Sequence, residues 1–195
     1  MPNLSSFLSY VIVATFTPGP NNIMSMSNAT RYGFKKSLPF NFGVFSGFTI
    51  IMALSSIFSI TLYKAIPSIK PIMTFIGAVY ILYLAWRIYN SKPDINNNKN
   101  RKDTNTFLSA MLLQFINPKV ILFCITTVST FIIPYYKSAF EITLLCVAIA
   151  FIGFVSTLCW SLFGSIFQKF IIKNNRLINT IMALLLLYCA VSLFL

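Results

Sequence analysis

Acidic residues are nearly missing from this chain. Its 195 residues include only Asp94, Asp103 and Glu141, against 15 Lys and Arg, and no histidine at all. Charged residues make up 9% of the total, where soluble domains carry about 25%, so a soluble globular protein is excluded. Cysteine is present but not in a working pattern. Cys124, Cys146, Cys159 and Cys189 all lie in apolar runs, none in a CxxC spacing. Without a Cys/His cluster, no metal site and no cofactor are expected. The thiols are expected to be buried and to act as small apolar residues. No charge precedes Arg31, so the N-terminal stretch lacks the basic start of a cleavable leader and reads as a retained first membrane helix.

What fills the chain instead is apolar: 57% hydrophobic residues and a mean hydropathy of +0.78. The fold class expected is an all-α, polytopic membrane protein. The one polar stretch, 90–106, is too short to bury a core of its own, so residues 1–195 form one transmembrane domain. The net charge of +12 does not point to nucleic acid, because Lys and Arg flank membrane helices and set their orientation.

Apolar runs of roughly 20 residues with few or no charges mark crossings, and six are expected. They run from about Leu4 to Thr30, Ser37 to Tyr63, Ile69 to Tyr89, Phe107 to Ile133, Ile142 to Phe167 and Leu177 to Leu195. Gly43 and Gly47, spaced four apart in the second, are expected to let another helix backbone approach closely. Pro71 is expected in the first turn of the third, where its missing N–H is harmless. The Asn-rich linker at 90–106 is expected in the cytoplasm, and Pro134 to Lys137 form a turn. With the N-terminus outside, inner loops carry eleven basic residues and outer loops three. That bias puts both termini outside a bacterial inner membrane.

Six crossings divide into three plus three around the linker: a first repeat at 1–89 and a second at 107–195. Three is odd, so the halves are expected as inverted repeats. The first helix of each is broken at proline, at Thr17-Pro18-Gly19-Pro20-Asn21-Asn22 and at Gln114 to Lys119 with Asn117-Pro118-Lys119 at its centre. Paired breaks of this kind point to a transporter's midplane binding site. Pro18 and Pro20 take the helical partner from the Ala14 and Phe16 carbonyls, and Pro118 from that of Gln114. Each following half-helix offers an N-terminus worth roughly +0.5 of a charge, suited to an anion. Loose carbonyls and the amides of Asn21, Asn22 and Asn117 suit a cation. Together they match a zwitterion, and an amino acid is the obvious solute.

Lys119 lies about 12 residues, roughly 18 Å at 1.5 Å per residue, from the nearest membrane edge. A lysine that deep is a functional candidate, although helix–helix hydrogen bonding would also use it. No span contains a carboxylate, so its partner is a carbonyl, water or the carboxylate of the substrate. The substrate-binding set is therefore Thr17, Pro18, Gly19, Pro20, Asn21, Asn22, Gln114, Asn117, Pro118 and Lys119, with no catalytic residue. A membrane thiol-relay oxidoreductase would need cysteines near both breaks, and the first three spans contain none. A passive channel would share the same breaks.

Phe16-Thr17-Pro18-Gly19-Pro20-Asn21-Asn22-Ile23 resembles the signature of the LysE/RhtB family of amino-acid exporters. Gly77 to Trp86 and Asn117 to Phe123 resemble its third-helix and second-half motifs, and the likeness spans almost the whole chain. Thr127 to Phe131, Cys159 to Gly164 with Phe167-Gln168, and Leu187 to Val191 resemble the branch that exports cysteine and O-acetylserine. The resemblance implies a six-helix inner-membrane exporter of small amino acids driven by the proton gradient. A cargo of the threonine, homoserine or leucine type is the alternative. Some relatives have Asp where this chain has Asn21, which removes a titratable group. Protons are still the candidate coupling ion, carried by Lys119 or by the substrate itself. Small-residue faces leave both monomer and homodimer open.

Overall fold

A computed structural model describes residues 4–90 and 105–192, and these are helical, with no strand among them. The chain starts with α1 (Leu4–Phe16) and α2 (Pro20–Tyr32). The last backbone bond of α1 runs from Thr17 N–H to the Val13 carbonyl at 3.0 Å, because Pro18 and Pro20 have no N–H with which to continue. α2 then begins on Pro20, where a missing N–H costs nothing. Gly33, at φ +84°, makes the turn into α3 (Phe34–Ile57), and α4 (Ser59–Tyr89) follows after Phe58 alone. Gly33 is the one described residue in the left-handed region, which glycine enters without steric cost.

The second half starts with α5 (Phe107–Gln114), capped by the Thr106 hydroxyl, which accepts the Ser109 N–H at 3.2 Å. α6 (Pro118–Thr127) continues through one π-helical turn, Val128–Ile132. Then come α7 (Ala139–Ile166), the short α8 (Gln168–Lys173) and α9 (Asn175–Ser192). α5 and the segment Pro118–Ile132 are bent by 60° at the second break.

The turn between the second and third spans falls at Phe58, earlier than expected, and α4 folds back so that Ile81 and Leu84 pack with Phe40 and Val44 of α3. α3 ends at Ile57 rather than Tyr63, and α4 is helical through 59–89. Pro71 thus sits in the interior of α4, not in its first turn. Proline is tolerated inside membrane helices, so it did not mark a boundary here. Most of the expected cytoplasmic linker, 91–104, lies outside the described residues, as do Lys92, Lys99, Arg101 and Lys102 of the charge count.

α3 and α5 run parallel and in close contact at Gly43 and Gly47. A Cβ at Gly47 would lie 2.6 Å from the Met111 carbonyl oxygen and 2.7 Å from Gln114 Cγ; one at Gly43 would overlap the Phe107 carbonyl. α7 runs parallel to α2, where Ser156, Ser161 and Gly164 meet Asn22, Ser25 and Thr30 in turn, and antiparallel to α3, to which Asn41 Nδ2 joins it by donating to Ser161 Oγ at 2.8 Å. Gly164 of α7 meets the Met26 backbone of α2 in the same close way. One apolar cluster contains Ile23 of α2, Phe40 of α3, Ala110 of α5, Ile81 of α4 and Leu186 of α9. The other contains Val11 of α1, Met52 of α3, Cys124 of α6 and Ile149 of α7. Each break therefore falls where a chain segment passes from one cluster to the other.

The outer surface is apolar. Phe140, Ile166 and Trp86 are exposed by 76%, 73% and 65%, a surface suited to lipid rather than water. α3 and α7 are individually long and apolar enough to cross a membrane, and α5 with Pro118–Ile132 qualifies as a bent pair. The chain is a membrane protein. Cys124 and Cys146 are buried as expected, but Cys159 is exposed, because it lies on the outward apolar face of α7 with Leu162, Phe163 and Ile166.

Candidate functional site

The two breaks meet. Asn21 Nδ2 donates to Gln114 Oε1 at 2.7 Å, and Gln114 Nε2 returns a bond to Asn21 Oδ1 at 3.2 Å. Asn117 Nδ2 donates to the same Asn21 oxygen at 3.3 Å. Gln114, fully buried, is held in place by a second bond from Nε2 to the Ala110 carbonyl at 2.9 Å. Asn117 is also buried, and its Oδ1 has no hydrogen-bond partner.

The carbonyls around the first break are mostly occupied, which corrects the expectation of a loose set. The Thr15 carbonyl accepts from Asn22 Nδ2 at 2.8 Å and from Ser156 Oγ at 2.9 Å. That of Phe16 accepts from Trp160 Nε1 at 3.3 Å. Thr17 O takes Asn22 Nδ2 at 3.1 Å and Lys119 Nζ at 3.3 Å, and the Cys189 thiol donates to Pro18 O at 3.1 Å. At the second break the Gln114 carbonyl accepts the Asn117 N–H at 3.3 Å in a tighter turn. An unpaired carbonyl in a membrane costs several kcal/mol, and side chains from α2, α6, α7 and α9 remove that cost. Trp160→Phe leaves the Phe16 carbonyl without its donor and is accordingly expected to lower stability by about 1–3 kcal/mol, read as a lower melting temperature in detergent.

Beside the amide bridge lies a cavity of about 530 Å³, part of it open to the protein's surroundings. Gly19, Pro20, Asn21 and Asn22 line it from the first break, and Asn117 and Lys119 from the second. Thr17, Pro18, Gln114 and Pro118 do not. Thr17 is exposed, with its hydroxyl turned back on the Val13 carbonyl, and Gln114 acts only through Asn21. Apolar walls come from Phe45 and Phe48 of α3, Phe123 of α6 and Phe154 of α7. On the other side of the bridge a narrow crevice, too tight to hold a water molecule, shares Pro20, Asn21 and Asn117 and adds Phe40, Tyr80 and Leu84. The amide bridge thus stands between the cavity and this packed crevice.

The electrostatics of the cavity are one-sided. Neither Gly19 nor Asn117 caps its helix with a side chain, so the first-turn N–H groups of α2 and α6 keep the positive end of each helix dipole, roughly +0.5 of a charge. Lys119, in the first turn of α6, lies against the start of α2: a Cβ at Gly19 would be 3.1 Å from its Nζ. No carboxylate is among the lining residues. Two helix N-termini and a lysine converge with no anion of the protein's own.

Trp160, Ser156 and Cys189 were not read as part of the site, nor were the cavity's phenylalanines. The Cys159-Trp160-Ser161 run was the available signal: a tryptophan donor between small polar residues in mid-helix needs an acceptor when buried.

The sequence profile of the LysE type translocators matches residues 12–195. A cysteine/O-acetylserine efflux protein of Salmonella typhimurium strain LT2 is 38% identical over 191 residues, covering 98% of this chain and 97% of the relative. The protein of the same name from Escherichia coli strain K12 is 37% identical over 191 residues, with the same coverage. No solved structure matches.

Proposed function

The chain belongs to the LysE type translocators, and from that premise we propose that it exports small neutral amino acids or their derivatives, of the cysteine and O-acetylserine kind, out of the cytoplasm. Two near full-length relatives carry that activity in their names. The observation that carries the reading is the uncompensated positive charge of the cavity. Lys119 Nζ and the open N-termini of α2 and α6 attract a carboxylate. Asn117 Oδ1, buried and without a partner, accepts from the ammonium group. The breaks thus offer the two ends of a zwitterion two different receptors. The cargo's third part, its side chain, rests on the apolar walls.

In this reading the protein crosses a bacterial inner membrane six times as two inverted three-helix repeats, with both termini outside. α1 with α2, and α5 with α6, each make one broken crossing. The parallel run of α3 and α5 is what an inverted second half requires, since both then enter from the same side. Asn105 Nδ2 donating to the Lys36 carbonyl at 2.7 Å ties the two starts together. Export is driven by exchange with protons, and the amide bridge closes one route out of the cavity.

Purified protein in proteoliposomes, loaded in turn with cysteine, O-acetylserine, threonine, leucine and lysine under an imposed pH gradient, tests this. Saturable efflux of the first two, faster when the gradient is imposed, is the expected result. Preference for threonine or leucine moves the cargo within the family. Flux that neither saturates nor responds to the gradient indicates a pore.

A further inference from the structure

Four glycines lie inside α3 and α7, and three of them are explained by packing. A Cβ at Gly43, Gly47 or Gly164 would run into the backbone of the neighbouring helix. Gly153 is different. The nearest atom a Cβ there would meet is Thr15 Cγ2, at 4.0 Å, an ordinary van der Waals distance. Glycine inside a helix is less stable than alanine, and no close helix contact offsets that at position 153. What lies beside it is the cavity. Gly153 lines it together with Ala150 and Thr157, which are three residues before and four after it and so share its face of α7.

The other apolar walls are bulky: Phe45, Phe48 and Phe123. α7 adds Phe154, but beside it Ala150, Gly153 and Thr157 make a small-residue wall facing Ala14 and Thr15 of α1, and Gly153 is where an added side chain would meet no atom closer than 4.0 Å. If the cargo's carboxylate and ammonium are fixed at the breaks, its side chain has to occupy the apolar part of the cavity. We propose that Gly153 sets the upper size of the cargo side chain by leaving its share of the cavity unfilled. This rests on the export reading above, because it takes the cavity's occupant to be an amino acid.

The experiment is a graded series, Gly153→Ala, Gly153→Val and Gly153→Leu, in proteoliposomes, with serine, cysteine and O-acetylserine as cargo. Hydrophobic pockets discriminate by about tenfold or more per methylene-sized group. The expected result is a loss of O-acetylserine efflux of about that size by Gly153→Val, with serine efflux changed less than about threefold. KM rises ahead of any fall in the maximal rate. Loss by one common factor for all three cargoes, or no loss in any variant, overturns the assignment. A second measurement needs no cargo. Gly153→Ala should melt at or above the temperature of the parent, because the methyl enters free space and alanine favours the helix. A melting temperature lowered as far as that of Gly43→Ala would make Gly153 a packing glycine and overturn the proposal. A parent protein that moves no amino acid would instead overturn the export reading, and this assignment with it.

Discussion

Lys119→Met is expected to cut amino-acid efflux at least tenfold while leaving the protein as stable as before, or more so. A charge-assisted hydrogen bond is worth about 1.5–3 kcal/mol, which at 1.4 kcal/mol per decade corresponds to a loss of about 10- to 150-fold. Methionine keeps the apolar stem of the side chain and removes its three donors. The stability half of the prediction separates the two roles open to this residue. A lysine serving only to join the breaks would be missed by the fold, since its bond to the Thr17 carbonyl at 3.3 Å would go with it. A lysine waiting for a carboxylate is a cost to the empty protein, because it crowds a cation against two helix N-termini within a membrane. Initial efflux rates and melting temperatures of the same preparation give the answer. Unchanged efflux from a folded Lys119→Met protein would confine Lys119 to the structural role. Lys119→Arg should fall between the two, because the amine already lies against Gly19 and a planar guanidinium needs more room.

The breaks were legible because proline chemistry is local. Whatever surrounds Pro18, Pro20 and Pro118, none of them can donate an N–H, so the helix ends at Phe16 and at Gln114 follow from residue type alone. The convergence of the two breaks was legible at one remove, through the three-plus-three pattern. Who satisfies the displaced carbonyls was not legible. Trp160, Ser156 and Cys189 lie more than 130 residues from the carbonyls they bond, and in sequence each is one more residue of an apolar helix. The cavity walls were hidden for the same reason. With 20 phenylalanines in the chain, composition cannot pick out Phe45, Phe48, Phe123 and Phe154. The misplaced turn before α4, which falls at Phe58, shows the opposite error, a local signal given too much weight. Pro71 and the lysines at 64 and 70 looked like a loop, yet the backbone is helical from Ser59 to Tyr89. A bilayer rewards keeping backbone hydrogen bonds inside the helix, which outweighs the local preference of those residues.

Gly47 connects packing to the site, and its replacement is the other change with a large expected effect. A Cβ at Gly47 would lie 2.6 Å from the Met111 carbonyl oxygen and 2.7 and 3.1 Å from Gln114 Cγ and Cβ. The first of these is backbone, so α5 itself has to move. Overpacking of this kind costs about 1–3 kcal/mol, seen as a lower melting temperature. A shift of α5 by a few tenths of an ångström also draws Gln114 off Asn21, where two reciprocal bonds at 2.7 and 3.2 Å leave little slack. Gln114→Leu removes the same bonds directly and leaves the Asn21 amide partly unsatisfied, at about 1–3 kcal/mol. Each single variant is therefore expected to lower efflux about tenfold, about 1.4 kcal/mol, by loosening Asn21 and Asn117 where they line the cavity. The double variant decides whether they share one route. If Gly47 acts through the amide bridge, Gly47→Ala/Gln114→Leu loses no more efflux than the worse single variant, because the bridge can be broken only once. Independent effects would instead multiply, as they do for residues with no shared partner. Multiplied losses would mean that Gly47 serves the α3–α5 contact alone, and that the bridge is held from the side of Asn117.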